Sequence, residues 1–284
     1  MKGAGAAEWR TGLGARLLLA YGLGGPSHKG KWWTVQTLVR VLKLQPEPGI
    51  QKRGELLWHL DPSDFPQQDL FWYGEKDRWE LLHIRRLLPR DPVFFDVGAN
   101  FGYYAITLAK RCKAVYAFEP NPPTYALLAE NAALNHLTNI HHFQIALGSR
   151  NGEVAMQQRP GNSGGQYIAS GEGIPMVTLD FFCRSHGIEQ IDFVKVDIEG
   201  YEEHFLLGAQ EVLKKLRPMF QMEFSPAWLR RAGSSLASVV RLLHESDYQI
   251  FQPRRVELVP VQLPRGSDEI NAFCIPAEKA DFLN

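Results

Sequence analysis

The chain has little cysteine, and the spacing of the few it has excludes two classes of protein. Cys112, Cys183 and Cys274 are odd in number, widely separated and form no C-x-x-C pair. A disulfide framework needs an even set of cysteines, and a zinc ribbon needs paired ones. The cysteines therefore predict buried thiols of a reducing compartment, and we expect a cytoplasmic protein.

The chain also has no excess of charge of either sign and no long hydrophobic run. The 31 basic and 31 acidic residues balance, so no polyanion-binding surface is predicted and we expect no nucleic-acid partner. No stretch reaches the roughly 18 apolar residues of a membrane span, so we expect no transmembrane segment. Arg10 and Arg16 precede LLLAYGLGG, which resembles a signal peptide, but glycines interrupt this short run and we expect no secretion.

The aromatic N-terminal segment, from Trp9 to Leu44, allows two interpretations. It contains the adjacent pair Trp32 and Trp33 within a probable helix. The simpler interpretation is a helix that packs on its own domain. The alternative is a peripheral contact with a membrane surface through the tryptophans.

The most informative segment that is present is VFFDVGANFG, from Val93 to Gly102. An apolar run ends in Asp96, a turn containing Gly98 follows, and helix-prone residues come next. This order predicts a buried parallel strand, a tight loop and a helix N-terminus that points at a ligand, with glycines leaving room for it. About twenty residues on, AVYAF ends in Glu119, well placed for a ribose diol. The two segments predict a nucleoside-binding site.

Two features of this loop favour S-adenosylmethionine over a dinucleotide. Asn100 stands where a dinucleotide fingerprint needs a backbone-only residue beside the pyrophosphate. The preceding acid, Asp96, would repel a phosphate but suits an ammonium or sulfonium group. The simpler alternative is an ordinary strand-turn-helix joint in which Asp96 only caps the helix.

The order of apolar and helical patterns predicts the fold class. We expect an α/β protein whose mostly parallel, doubly wound sheet has seven strands and an antiparallel edge strand. Residues 1–90 are expected to form an N-terminal helical and β appendage that acts as an accessory or lid segment, and residues 91–284 a methyltransferase domain. Strands are predicted over 93–97, 114–119, 140–146, 191–197, 218–224, 248–251 and 271–276, with a hairpin or flap over 149–170.

Acidic residues end several of these predicted strands. Asp96, Glu119, Asp197 and Glu223 each close a strand at the carboxyl edge, where ligands of such sheets bind. Asp197 is the candidate base or acceptor-orienting group, because an acid that closes a buried strand is costly unless it is used.

Further candidates lie close to Asp197 in the chain. Glu199 and His204 are the next candidate catalytic residues. Lys195 is expected to be a strand-edge residue outside the site. Asp197, Glu199 and Glu223 also offer hard oxygen ligands, so a magnesium ion that lowers the pKa of an alcohol is an open alternative.

Longer motifs carry a resemblance to a known family. FFDVGANFGYYAITLA, AFEPNPPTYALLAEN, TLDFF, FVKVDIEGYEEHFLLGA and MEF closely resemble, in order and spacing, the FkbM family of S-adenosylmethionine-dependent methyltransferases. The resemblance implies a class I methyltransferase sheet, S-adenosylmethionine as donor, the loop at the methionine half and Glu119 at the ribose. With the adjoining residues, the predicted cofactor-binding set is Asp96, Gly98, Ala99, Asn100, Phe101, Gly102, Glu119, Pro120, Asn121 and Ala146.

The function predicted from these features is O-methylation of a hydroxyl on a sugar, a glycolipid or a secondary metabolite. The acceptor would be a small molecule or a glycan. Two other classes of function stay open. An NAD(P)-linked oxidoreductase is disfavoured by Asn100, and a non-catalytic S-adenosylmethionine-binding protein would keep the loop at Gly98 but have no use for Asp197.

Overall fold

The computed structural model describes residues 13–25, 30–44, 46–159, 161–261, 263 and 268–280. Trp9 and Arg10 lie outside these ranges. The N-terminal part of the chain is two helices, a β-hairpin and two more helices. These elements are α1 (Leu13–Gly24), α2 (Lys31–Val41), β1 (Gly49–Arg53), β2 (Leu56–Leu60), α3 (Phe65–Tyr73) and α4 (Arg78–Leu87).

From Val93 onward, strands and helices alternate. These elements are β3 (Val93–Val97), α5 (Tyr103–Ala109), β4 (Ala114–Phe118), α6 (Pro122–Leu134), β5 (Ile140–Phe143), β6 (Ala146–Leu147), β7 (Gly152–Arg159), β8 (Asn162–Val177), α7 (Leu179–His186), β9 (Phe193–Val196), α8 (Glu202–Leu207), a π-helical turn (Val212–Leu216), β10 (Met219–Phe224), α9 (Pro226–Arg231), α10 (Leu236–Glu245), β11 (Tyr248–Arg254), β12 (Glu257–Pro260), β13 (Ile270–Pro276) and α11 (Ala277–Ala280).

The central sheet is α/β and mostly parallel, as predicted, but its strand count and edge differ from the prediction. It contains eight strands in the order β12-β11-β13-β10-β9-β3-β4-β5. The five strands from β10 to β5 are parallel, whereas β13 is antiparallel to both of its neighbours. The predicted last strand, β13, is therefore not at the edge. The edge strand on this side is β12, which was not predicted because its residues, ELVP, are exposed or half-buried and form no apolar run.

The middle of the sheet is formed by strands that are buried on both faces. All five residues of β3 are buried, which is why an uninterrupted apolar run predicted a parallel strand here. Phe94 and Phe95 point to opposite faces and belong to two different hydrophobic clusters, as the two-residue period of a strand requires. The carboxyl end of β3 therefore leads the chain out of a rigid core and into the predicted ligand loop.

Several predicted elements are divided in the structure. The strand expected over 140–146 is split into β5 and β6, and β6 joins a separate small sheet with β7 and β8. The helix expected over 201–216 is split into α8 and the π-helical turn. The flap predicted over 149–170 is confirmed as an antiparallel hairpin of β7 and β8 with two irregularities in register.

The N-terminal hairpin packs on the helices that follow the site. Asn131 of α6 and Asn135, directly after α6, accept hydrogen bonds from the backbone of β2 at His59 and Leu57, respectively. The ring of Trp58 lies 5.9 Å from that of Phe101. One hydrophobic cluster thus contains buried side chains from both sides of residue 90.

Candidate functional site

The loop after β3 is held in place by backbone contacts with its neighbouring strands. The backbone N–H groups of Gly98 and Ala99 both donate to the carbonyl of Phe118. Gly98 has a φ of +75°, and a Cβ atom there would lie 1.9 Å from the carbonyl oxygen of Asp197. A Cβ at Gly102 would lie 2.6 Å from the Leu128 side chain. These glycines therefore allow close packing within the protein itself, a reason that the sequence analysis did not foresee.

Glu119 fastens this loop from the end of β4. Its two carboxylate oxygens accept hydrogen bonds from the backbone N–H groups of Asn100 and Asn121, both at 2.9 Å. Burial raises the pKa of Glu119 to about 7, because desolvation outweighs these two hydrogen bonds. The carboxylate is thus fixed in orientation at the carboxyl edge of the sheet.

Asp96 lies behind the loop. Its side chain is fully buried, and one oxygen accepts a hydrogen bond of 2.9 Å from the backbone N–H of Ala105 in the first turn of α5. The other oxygen has no hydrogen-bond partner among the described residues. Burial raises the pKa of Asp96 to about 6, although the nearby Lys195 ammonium opposes this shift. In this structure Asp96 binds the helix N-terminus, as the simpler interpretation expected.

One cavity gathers six of the predicted residues at the carboxyl edge of the sheet. They are Gly98, Asn100, Glu119, Pro120, Asp197 and Glu199. The β7–β8 hairpin covers them with residues between Met156 and Ile168, and the enclosed volume is about 70 Å³. The remaining predicted residues on this side, Asp96, Ala99, Phe101, Gly102, Asn121 and Ala146, are buried around the cavity without lining it.

Lys195 is part of the site, which corrects the expectation that it would lie outside. Its side chain is buried, and its Nζ donates to Oδ2 of Asp197 at 3.1 Å and lies 4.7 Å from the Tyr104 ring centroid. Residues two apart on a strand share a face, so the alternation places Lys195 beside Asp197 and the earlier assignment was wrong. The Asp197 side chain is 46% exposed. Partial desolvation would raise its pKa, but Lys195 and Lys76 outweigh this effect and hold that pKa below its usual range.

Glu199 has the opposite electrostatic environment. It lies in the left-handed region with a φ of +51°. Burial, followed by the negative charges of Asp197 and Glu223, raises the pKa of Glu199 to about 9. Burial and the charge of Asp197 likewise raise the pKa of Glu223 to about 8. Near neutral pH, Glu199 is therefore protonated beside an ionised Asp197.

A second and larger cavity adjoins the first. Its volume is about 460 Å³, and it shares Tyr167, Ile168 and Glu199 with the smaller cavity. His204 lines this second cavity, its ring stacked 4.2 Å from that of Tyr201. His204 thus lines the same cavity as Glu199 but not the smaller cavity, which Asp197 lines.

The sequence profile described as the methyltransferase FkbM domain matches residues 96–250, more than half of the chain. The chain belongs to the FkbM methyltransferase family. The matched FkbM domain contains the site residues Asp96, Glu119, Lys195, Asp197 and Glu199. The N-terminal elements α1 to α4 precede it.

Two of the curated proteins that are similar to this FkbM family member are methyltransferases named for a sugar acid or for 2-O-methylation. Hexuronic acid methyltransferase AglP of Haloferax volcanii is 33% identical over 139 residues, which are 47% of this chain and 57% of AglP. The 2-O-methyltransferase NoeI of Sinorhizobium fredii is 29% identical over 192 residues, 59% of this chain and 77% of NoeI. The alignment thus spans less than two thirds of the length of AglP.

Among solved structures, methyltransferase FkbM from Methylobacillus flagellatus is similar to this chain. The TM-score is 0.43 at 18% identity, with 92% of this chain and 58% of the other chain covered. A likeness this distant has no weight for function.

The site of this FkbM family member also includes residues that sequence reasoning missed. Ser163, at the tip of the β7–β8 hairpin, donates from its hydroxyl to Asp64 at 2.6 Å and to Asn100 at 3.1 Å. The backbone N–H of Ser163 donates to the other oxygen of Asp64 at 2.7 Å. Asp64 and Ser163 are 99 residues apart in sequence, and neither belongs to a motif, so no local signal could have joined them. We call this contact the hairpin latch.

The magnesium alternative gains no support from the geometry. Within the described part of the chain, no group of three or more His, Cys, Asp or Glu side chains is arranged to hold a metal ion. Asp197, the central residue of that hypothesis, pairs with Lys195 instead.

Over the residues that the structure describes, no helix is both long and apolar enough to span a membrane.

Proposed function

We propose that this protein is an S-adenosylmethionine-dependent methyltransferase that methylates a hydroxyl of a sugar, a glycolipid or a secondary metabolite. The observation that supports this most is the cavity that brings Glu119 and Asp197 together and adjoins a larger cavity across Glu199. Two adjoining cavities suit a donor in one and an acceptor in the other, with the reacting groups meeting where the cavities share Glu199. The names of AglP, a hexuronic acid methyltransferase, and NoeI, a 2-O-methyltransferase, agree with this chemistry.

The residues of the smaller cavity fit the donor. Glu119 offers a fixed carboxylate to a ribose diol. The acids Asp197 and Asp96 suit the positive charges of the methionine half, and Asp96 retains an oxygen without a partner among the described residues. S-adenosylmethionine, when bound, supplies a methyl group already activated by a positive sulfur. The protein then has to hold the acceptor oxygen in line and about 3–3.5 Å from that methyl, an effect worth as much as about 7–11 kcal/mol.

The pKa values divide the acid and base roles between two neighbouring carboxyl groups. Asp197, whose pKa is lowered by Lys195 and Lys76 against the effect of partial desolvation, is ionised at neutral pH and can take the proton of an acceptor hydroxyl. Glu199, with its pKa raised to about 9 by burial and nearby carboxylates, is protonated and can donate a hydrogen bond that orients the acceptor. We assign His204 to the wall of the acceptor cavity.

We also propose that residues 1–90 act as an accessory segment of the methyltransferase domain at 91–284. Asp64 contributes to the hairpin latch, and Phe65 donates from its backbone to Gly161 of the same hairpin. Through these contacts the N-terminal segment supports the cover of the donor cavity.

Replacement of Asp197 tests the proposed function. Asp197→Asn keeps the shape of the side chain but removes the base, so methyl transfer from labelled S-adenosylmethionine to acceptors in an extract should fall about 10²–10⁴-fold. Affinity for S-adenosylhomocysteine, measured by calorimetry, should change far less. A non-catalytic binding protein would show no transfer with either form, and undiminished transfer by the variant would show that Asp197 is not the base.

A further inference from the structure

We propose that the acceptor carries an anionic group, a carboxylate or a phosphate, which Arg150 and Arg231 bind in the larger cavity. This inference rests on the proposed function, because it treats that cavity as the acceptor site. Both arginines line the cavity together with Glu199 and His204. An anion held there would lie in the same chamber as the hydroxyl to be methylated.

Arg231 is exposed and stacked on aromatic rings, and its charge is not neutralised. Its guanidinium carbon lies 3.7 Å from the ring centroid of Tyr167 and 5.4 Å from that of Trp228. It also donates a hydrogen bond to the hydroxyl of Tyr167. Within the described ranges, no ion pair joins Arg231 to a carboxylate. A stacked guanidinium retains its planar donors for a carboxylate or phosphate, which it can bind through two parallel hydrogen bonds.

Arg150 adds a second positive charge, from the segment that leads into the β7–β8 hairpin. It is exposed and, like Arg231, has no carboxylate partner among the residues described. The larger cavity is thus lined by two guanidinium groups from separate elements of the fold.

The acids of the cavity do not cancel these charges. Only Glu153 and Glu199 among the lining residues are acidic. Glu199 is protonated near neutral pH, since its pKa is about 9, and Glu153 accepts a hydrogen bond from the backbone of Gly173 at 3.1 Å. Two guanidinium groups therefore face a single carboxylate. The stacked rings of Tyr201 and His204 add a flat surface beside them.

Binding of inorganic phosphate tests the site without knowledge of the acceptor. We would titrate phosphate at constant ionic strength into the full chain saturated with S-adenosylhomocysteine, following binding by NMR. Millimolar binding is expected for the wild type. Loss of one charged hydrogen-bonding partner should weaken it about tenfold or more in Arg150→Gln and in Arg231→Gln. Arg241→Gln is the matched control, because Arg241 is exposed on α10 outside the cavity, and it should bind phosphate like the wild type.

Two results would overturn this inference while leaving the proposed function intact. One is no phosphate binding by a wild type that binds S-adenosylhomocysteine, and the other is equal phosphate binding by all four forms. If the wild type does not bind S-adenosylhomocysteine, the proposed function itself fails.

The labelled products of the extract assay give a second measurement. Methylated products should be retained on an anion-exchange column, and a neutral product in the flow-through would contradict the inference. Phosphatase treatment then distinguishes the two sources of charge. A phosphate-bearing product loses its retention, whereas a carboxylate-bearing product keeps it, and either result supports an anionic acceptor.

A different observation supports a second proposal, that helices α1 and α2 dock on an anionic lipid surface. Helix α1 is apolar on both sides. Ala15 and Leu18 face the protein, but Leu13 and Leu17, one turn apart, are 74% and 63% exposed. On α2, Trp33 and Val41 are each 68% exposed. A helix that packs only on its own domain normally has a polar outer face.

The basic residues of segment 13–44 favour an anionic surface as the partner of these helices. Residues 13–44 contain Arg16, Lys29, Lys31, Arg40 and Lys43 and no Asp or Glu, in a chain whose total charges balance. Exposed apolar side chains, tryptophan and unopposed basic residues together are typical of helices that lie in the interface of anionic membranes. A protein partner would need a matching acidic and apolar groove.

Vesicle sedimentation tests this second proposal. The full chain should bind vesicles of phosphatidylcholine with 30% phosphatidylglycerol, and bind poorly to phosphatidylcholine alone or at high salt. Leu17→Ser/Trp33→Ser should lower the bound fraction about tenfold. Val256→Ser is the control, because Val256 is 50% exposed at the β11–β12 turn. No binding to the anionic vesicles, or equal binding by the double variant, would refute lipid docking and would favour a protein partner for these helices.

Discussion

Asp197 and Glu199 lie two residues apart and are held in opposite ionisation states. Lys195 and Lys76 keep the pKa of Asp197 below its usual range despite partial desolvation, whereas burial and neighbouring carboxylates raise the pKa of Glu199 to about 9. Pairs of acids whose environments separate their pKa values are a common basis for dividing base and hydrogen-bond donor roles. The division here depends on the ionised Asp197, whose charge itself raises the pKa of Glu199.

The raised pKa of Glu199 makes the free energy of unfolding depend on pH. The folded state holds this proton up to about pH 9, but the unfolded chain releases it near the ordinary value of 4.5. The stabilisation is therefore complete below about pH 4.5 and is lost as the pH rises toward 9. Glu199→Gln, which cannot ionise, should be more stable than the wild type at pH 9 and similar to it at pH 5.

Thermal unfolding of the ligand-free protein at pH 5, 7 and 9 measures this difference. Glu245→Gln is a suitable control, because Glu245 is exposed on α10 and its replacement should leave the pH dependence unchanged. Parallel curves for wild type and Glu199→Gln would show that Glu199 is already ionised at neutral pH.

For individual residues of the site, the sequence predicted the positions of the acids better than it predicted their roles. The strand-end rule predicted Asp96, Glu119, Asp197 and Glu223, of which Glu119 and Asp197 line the smaller cavity. Glu199, which was predicted because it follows Asp197 closely in the chain, lines that cavity as well. The strand-end rule could not decide whether Asp96 would face the ligand or the N-terminus of α5, because the direction of a side chain at a strand end depends on tertiary packing. Lys195 could have been predicted, since the two-residue period already places it beside Asp197.

The β7–β8 hairpin is the element that controls access to the donor cavity. The space beneath it is about 70 Å³, whereas pockets for small ligands are typically about 300–1,000 Å³. We therefore propose that the hairpin moves outward when S-adenosylmethionine binds. The hairpin latch at Ser163 opposes that movement through Asp64 and Asn100.

Weakening the latch should speed cofactor entry. Ser163→Ala removes the hydroxyl contacts, and a net loss of about 0.5–1.5 kcal/mol should raise the association rate of S-adenosylmethionine about two- to tenfold in stopped-flow fluorescence. Ser185→Ala is the control, because that hydroxyl bonds only within and next to α7. An unchanged or slower association rate for Ser163→Ala would mean that the latch does not limit entry.

Most elements could be predicted from the sequence, but not how they are placed. Apolar runs and glycine turns predicted β3, β4, β9 and β10 because parallel strands are buried on both faces. The insertion of β13 between β10 and β11 depends on pairing across a long connection, for which local patterns give no register. Helix α3 was not predicted, because its nine residues, FPQQDLFWY, show no amphipathic period.

Residues on both sides of the domain boundary expected at residue 90 contribute to one hydrophobic core cluster. Trp58 and Trp72 lie in the same hydrophobic cluster as Phe94, Phe101 and Leu128. Side chains buried together contribute to stability only while both parts are folded. The N-terminal hairpin and the central sheet should therefore unfold in one step.

Hydrogen exchange in increasing urea tests this cooperativity. Peptides that cover β2 should lose protection at the same urea concentration as peptides that cover β3 and β9. Earlier loss of protection in β2 would show that residues 1–90 form a separately folding unit.

A calorimetric titration with S-adenosylmethionine and with NAD tests the central claim most directly. The cavity that joins Gly98, Asn100, Glu119 and Asp197 should bind S-adenosylmethionine at a single site. Asn100 and the acids around it leave no place for a pyrophosphate, so NAD should give no heat of binding. Saturable binding of NAD without binding of S-adenosylmethionine would contradict the account.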